Sequence, residues 1–127
     1  MNPFASSLCV GLGAFVGANV RYWTGVAFRT YLPSAFPWAT LTINVVGCFL
    51  IGLVMGTLPG RTQWIQLFAV VGVLGGFTTF SAFGYETLTL FRSGQTGVAL
   101  GYVAASVVVG LGATWVGQEL AARVTRL

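Results

Sequence analysis

The chain has 127 residues, of which 56% are hydrophobic and only 6% charged, with a formal net charge of +4. A soluble domain carries about 25% charged residues, so this composition cannot cover a water-facing surface, and a mean hydropathy of +0.86 points the same way. The charges leave uncharged runs at 1–20, 30–60, 62–85 and 93–118, which are 20, 31, 24 and 26 residues long. Each reaches the roughly 20 residues needed to cross a hydrocarbon core about 30 Å thick. The expectation is an all-α membrane protein whose residues 1–127 form one domain of four transmembrane helices, with no extramembrane domain beside it.

Helix one is expected over about 3–28. Met1-Asn2-Pro3-Phe4 lacks the basic stretch of a cleavable signal, so this run is read as part of the mature protein. Arg29, Pro33 and Pro37 mark a loop, because proline does not continue a helix. Helix two then covers about 38–58, Pro59-Gly60-Arg61 is read as a turn, and helix three takes 63–91. Arg92-Ser93-Gly94-Gln95 turns the chain into helix four, about 96–121. Trp23, Tyr31, Trp38 and Trp64 fall near the predicted ends, as an interfacial aromatic belt requires. Trp115 sits deeper and has no such place.

Helix three carries a local weakness. Gly75-Gly76-Phe77-Thr78-Thr79-Phe80-Ser81 sets two glycines, two β-branched threonines and a serine near the middle of the third apolar run, and a break at mid-membrane is predicted there. Freed carbonyls at such a break could hold a cation, as broken transporter helices do; a kink closed by Ser and Thr side chains is the equal alternative. Glycine makes up 18 of 127 residues, and the pairs Gly13/Gly17, Gly52/Gly56 and Gly97/Gly101 are read as helix-packing faces.

Enzymatic chemistry is not expected. There is no His and no Lys, and the two carboxylates, Glu86 and Glu119, are far apart, leaving no acid/base pair or metal-ligand cluster. Cys9 and Cys48 read as small apolar packing residues, and six scattered arginines are too few for nucleic acid. Those arginines divide evenly between the two sides, with Arg61, Arg123 and Arg126 against Arg21, Arg29 and Arg92. Orientation follows the excess of Lys and Arg, so an even split predicts insertion both ways and an antiparallel homodimer. A single orientation set by a subtler bias is the alternative.

Polar groups inside the apolar runs are functional candidates by cost alone. Asn44 offers an amide, Tyr102 and Ser106 offer hydroxyls on one face of helix four, and Phe80 and Phe83 share a face of helix three. Aromatic ring edges carry positive potential, so donors and edges together suit an anion. Ordinary ring packing and an interhelical hydrogen bond are the plainer alternatives. Arg21 is read as a mouth charge or a snorkelling side chain, and Glu86 as a vestibule residue or an ion-pair partner.

Three segments in order, Gly13-Ala14-Phe15-Val16-Gly17-Ala18-Asn19-Val20-Arg21-Tyr22, Thr40-Leu41-Thr42-Ile43-Asn44-Val45-Val46-Gly47 and Gly75-Gly76-Phe77-Thr78-Thr79-Phe80-Ser81, resemble the signatures of the Fluc (CrcB) family of bacterial fluoride channels. The resemblance implies a dual-topology antiparallel homodimer in the bacterial inner membrane, with two pores that export toxic fluoride passively. By motif, Phe80 and Phe83 become pore rings and Asn44 the polar group beside them, with Ser81, Tyr102 and Ser106 also on the fluoride path. Arg21 and Glu86 become vestibule residues, and Gly75 and Thr78 carbonyl ligands of a structural sodium ion at the dimer centre. Ala82 and Gly110 depart from the family pattern, each removing a hydroxyl. The competing class, a small dual-topology multidrug/proton antiporter, needs a carboxylate in the first helix, where this chain has Arg21 and no acid.

Overall fold

Helix α1 (Pro3–Tyr31) starts where its chemistry allows: the Asn2 side chain accepts the Phe4 N–H at 3.0 Å, and Pro3 occupies the first turn, where its missing donor costs nothing. The protein is described by a computed structural model covering residues 2–57 and 63–125. Three further apolar spans follow, α2 (Trp38–Thr57), α3 (Gln63–Arg92) and α4 (Thr96–Val124), each long enough to cross a bilayer. The chain is therefore a multi-pass membrane protein. The predicted end of helix two at Leu58 and the turn at Pro59-Gly60-Arg61, together with Arg126, lie outside the described residues.

α1 runs three residues past the expected 28. Arg29 does not stop it; the stop is Leu32, which precedes Pro33 and is forced off helical geometry to φ −137°, ψ 62°. α4 likewise continues past 121 to Val124, since no glycine or proline follows Gly117 and Arg123 suits the negative end of the helix dipole. α3 ends in a Schellman turn. Gly94 adopts φ +77°, its N–H bonds the Phe91 carbonyl at 3.1 Å, and the Gln95 N–H bonds Leu90 at 2.9 Å.

Two features of α3 depart from a regular helix. Residues Gln66–Leu74 form a π-helix, a register the sequence reading does not contain, in which the Gly75 N–H reaches back to the Val70 carbonyl. After the short turn Gly75–Phe77, Thr78 (φ −78°, ψ 158°) and Thr79 (φ −151°, ψ 113°) are extended, and helix resumes over Phe80–Arg92.

The helices pack in two close pairs, α1 with the first half of α3 and α2 with α4. Glycine makes this possible. A β-carbon on Gly13 would strike the Phe68 carbonyl, one on Gly17 the Val73 carbonyl, one on Gly52 the Thr114 carbonyl and one on Gly117 the Phe49 carbonyl. In lipid, such backbone approach and its dispersion contacts stand in for a hydrophobic driving force. Gly97 and Gly101 do not belong to this set, because nothing lies within 4 Å of either β-position; their four-residue spacing is not an intrachain packing face. Large apolar side chains such as Phe15, Val108 and Trp115 are exposed on the outer faces, as lipid permits.

Gly17→Leu should destabilise the detergent-solubilised protein by at least about 1–3 kcal/mol, the usual cost of overpacking. Gly112→Ala, at a helical position open on all sides, should gain about 0.5–1 kcal/mol from lower backbone entropy in the unfolded chain. Thermal unfolding followed by circular dichroism distinguishes the two. Equal midpoints would show that the close α1–α3 approach contributes nothing.

Candidate functional site

The site is built around the interruption in α3. In a continuous helix the Thr79 N–H would bond the Gly75 carbonyl; here it donates to Asn44 Oδ1 at 2.8 Å, while Asn44 Nδ2 donates to the Thr79 carbonyl at 3.0 Å. One amide side chain on α2 thus satisfies both backbone groups of the extended residue, which would each cost about 1–3 kcal/mol if buried unpaired. The Thr79 hydroxyl then caps the resumed helix, accepting the Ala82 N–H at 3.2 Å, and lies 3.3 Å from Ser81 Oγ. Thr78 Oγ1 turns back to the Leu74 carbonyl at 3.0 Å.

Several carbonyls lose their helical partners at the break, among them Gly75, through the Asn44 pairing, and Thr78, through the Thr79 cap. Arg21 takes the second of these: its Nη1 donates to the Thr78 carbonyl at 3.2 Å. Arg21 is half-buried and tied to the break.

Beside the break lies a groove of about 410 Å³ whose wall includes Asn44, Thr79, Phe80, Phe83 and Ser106, with no charged side chain among the described lining residues. The Phe80 and Phe83 rings are 5.5 Å apart between centroids and tilted by 43°. Phe80 is 83% exposed on the single chain, whereas Phe83 leans on Tyr102 at 5.2 Å. Ser106 Oγ is buried with no hydrogen-bond partner. Asn44 keeps one amide hydrogen beyond its bonds to Thr79. The groove is therefore lined by aromatic rings and by an amide with a donor left unpaired among the described residues.

The other expected residues stand elsewhere. Tyr102 does not line the groove: it is fully buried behind Phe83, with its ring edge-on to Phe36 at 5.5 Å and its hydroxyl donating to Glu86 Oε2 at 2.7 Å. Ser81 is exposed and likewise outside the groove lining. Glu86 is half-buried, and its second oxygen accepts the Thr40 hydroxyl at 2.7 Å, so hydroxyls rather than an arginine hold it. Thr40 is the polar residue that sequence reasoning missed. It is buried to 6% exposure, and its position one turn before Asn44, on the same face of α2, was the available signal. At the two positions read as departures, the Ala82 N–H donates to the Thr79 hydroxyl at 3.2 Å, and Cys48 Sγ lies 3.4 Å from where a β-carbon on Gly110 would sit. Among the described residues no group of three or more His, Cys, Asp or Glu could hold a metal.

Asn44→Ala should orphan both Thr79 backbone groups and lower stability in detergent by at least about 1–3 kcal/mol. Chemical unfolding monitored by circular dichroism reads this directly. An unchanged midpoint would mean that water or another side chain replaces the amide.

Comparison with known proteins assigns the chain. Residues 8–118 match the family described as CrcB-like protein, Camphor Resistance (CrcB). A protein of Hyphomonas neptunium named "Fluoride-specific ion channel FluC" is 41% identical over 128 aligned positions, covering 98% of each chain. One of the same name from Thermus thermophilus is 44% identical over 118 positions, covering 89% of this chain and 92% of its own. A third, from Chloroflexus aurantiacus, is 43% identical over 116 positions. With the match running from α1 into α4, the chain belongs to the CrcB family.

Proposed function

We propose that this protein is a passive, fluoride-selective ion channel of the bacterial cytoplasmic membrane, working as an antiparallel homodimer with two pores. The observation that supports this reading is the uncharged groove, lined by Asn44 with its spare amide hydrogen, by the Phe80 and Phe83 rings, and by Ser106, whose buried hydroxyl has no partner within the chain. Relatives more than 40% identical over about nine-tenths of the chain or more bear the name of such a channel.

The chemistry suits fluoride in particular. Fluoride is small and strongly hydrated, so a dry passage excludes it unless donors replace its water. Amide, hydroxyl and ring-edge groups supply that replacement without a full positive charge, and conduction needs an ion held weakly enough to leave. Phe80, largely bare on one chain, is the ring a second copy would cover. Tyr102 and Ser81 act around the path rather than on the groove wall: Tyr102 braces Phe83 from behind and links it to Glu86.

The antiparallel arrangement rests on the even split of six arginines. A structural sodium ion at the dimer centre fits carbonyls freed at the break, those of Gly75 and Thr78 among them, because unwound backbone carbonyls are suitable ligands for such an ion. One chain supplies too few oxygens, and Arg21 already occupies one lone pair of Thr78; Gly75 is exposed, so a two-fold mate could double the set. When bound, the ion would join the two breaks.

Liposomes holding the protein should release fluoride and retain chloride, as read by ion-selective electrodes, and Phe80→Ile or Phe83→Ile should abolish the release. Undiminished flux in both variants rejects the pore assignment. Reporters fused to the carboxyl terminus should give signal from both compartments; signal from one alone rejects dual insertion.

A further inference from the structure

Gly47 lies one turn beyond Asn44 on the same face of α2. It is buried, and a β-carbon on it would strike the Cγ2 methyl of Thr78. That methyl fills the space in which any other amino acid would carry its first side-chain carbon. At Gly13, Gly17, Gly52 and Gly117 the obstacle is a neighbouring carbonyl, which no side-chain change can remove. Here the obstacle is one methyl group. Past it the same β-carbon would stand 3.6 Å from Thr78 Cβ and 3.7 Å from Phe77 Cδ1, both ordinary contacts.

The methyl cannot simply turn away. Threonine is stiff about χ1, and Thr78 Oγ1 is bonded to the Leu74 carbonyl at 3.0 Å, so a change of rotamer gives up that bond. Seated by both arms, Thr78 presents its carbonyl to Arg21 and hands the chain to Thr79, whose peptide meets Asn44. We propose, resting on the channel reading above, that Gly47 is a positioning residue for fluoride conduction. It receives the Thr78 methyl and so sets the register in which Asn44 pairs with the Thr79 peptide and helix resumes at Phe80. Gly47 acts on the path through Thr78 and Asn44. Asn44 and Gly47 together form a two-point seat on α2, one point polar and one steric, for the two extended residues of α3.

The test is whether one substitution changes sign with its neighbour. Gly47→Ala alone is expected to lower fluoride efflux from liposomes by about tenfold, a loss that corresponds to ordinary overpacking at the seat. Thr78→Ser keeps the hydroxyl and removes the methyl, leaving a gap at Gly47. In that background Gly47→Ala refills the gap and is expected to raise efflux above that of Thr78→Ser alone. The second readout is the Asn44 amide. The chain has three asparagines, Asn2, Asn19 and Asn44, so protein grown on isotope-labelled asparagine gives three side-chain amide signals by NMR. The Asn44 signal is identified by its absence from Asn44→Gln. Its proton bonded to the Thr79 carbonyl is expected to move upfield in Gly47→Ala and to return in the double variant. Asn19, bonded to the Phe15 carbonyl within α1, is expected to stay fixed; a role in overall folding alone would not move one amide and spare the other. Should Gly47→Ala yield no folded protein, Thr78→Ser with and without it carries both readouts. Equal loss of efflux in the two backgrounds, or an Asn44 signal that does not move, overturns the positioning role and leaves the channel reading standing. Unsubstituted protein that passes no fluoride removes the channel reading, and with it the role assigned to Gly47.

Discussion

The pairing of Asn44 with the Thr79 peptide is the interaction on which the rest depends. A helix interrupted inside an apolar span exposes backbone donors and acceptors with no water to satisfy them. Asn44 answers both at once, because a primary amide carries a donor and an acceptor in the same plane as a peptide does. That pairing fixes the direction in which α3 resumes, and so the placement of Phe80 and Phe83. It also ties α2 to α3 at the point where the α1–α3 and α2–α4 pairs meet. Remove it, and the break has no reason to stay in register with the groove.

Around this pairing the polar atoms divide into those used within the chain and those left over. Arg21, Thr40, Thr78, Thr79, Glu86 and Tyr102 all bond to partners in the same chain. Ser106 does not, and Asn44 is only partly used. In a membrane interior an unspent donor is costly, and the spare Asn44 hydrogen belongs to a residue that lines the open groove. The absence of formal charge from the groove wall matters equally, since a fixed cation there would hold an anion too long.

Much of this was legible in the sequence, and the limits are physical. Uncharged runs mark the four spans because a charge in the hydrocarbon core is expensive, and Gly75-Gly76 with Thr78-Thr79 marks weak helix because local propensity acts through neighbours in the chain. Partners across helices are another matter. Gly97/Gly101 and Gly13/Gly17 have the same spacing, yet only the second pair meets a neighbouring backbone, for spacing defines a face and not what lies opposite it. Thr40 escaped notice because a single threonine in an apolar run reads as helix surface until Glu86 is seen beside it. Arg21 had two plausible roles from sequence, and nothing in its surroundings along the chain announces that it also donates to a carbonyl 57 residues away.

The π-helical stretch Gln66–Leu74 has a consequence for how this family can change. Its wider turns absorb residues that a tighter helix would rotate onward, which lets Gly72 and Gly76 keep facing α1 while Thr79 still faces Asn44. Losing one amino acid from that stretch would swing everything after it by about 100°, the angular step of an ordinary α-helix. Length variation among homologues should therefore be tolerated at loops such as the α1–α2 corner and purged from this segment, even though most of its side chains are ordinary aliphatics.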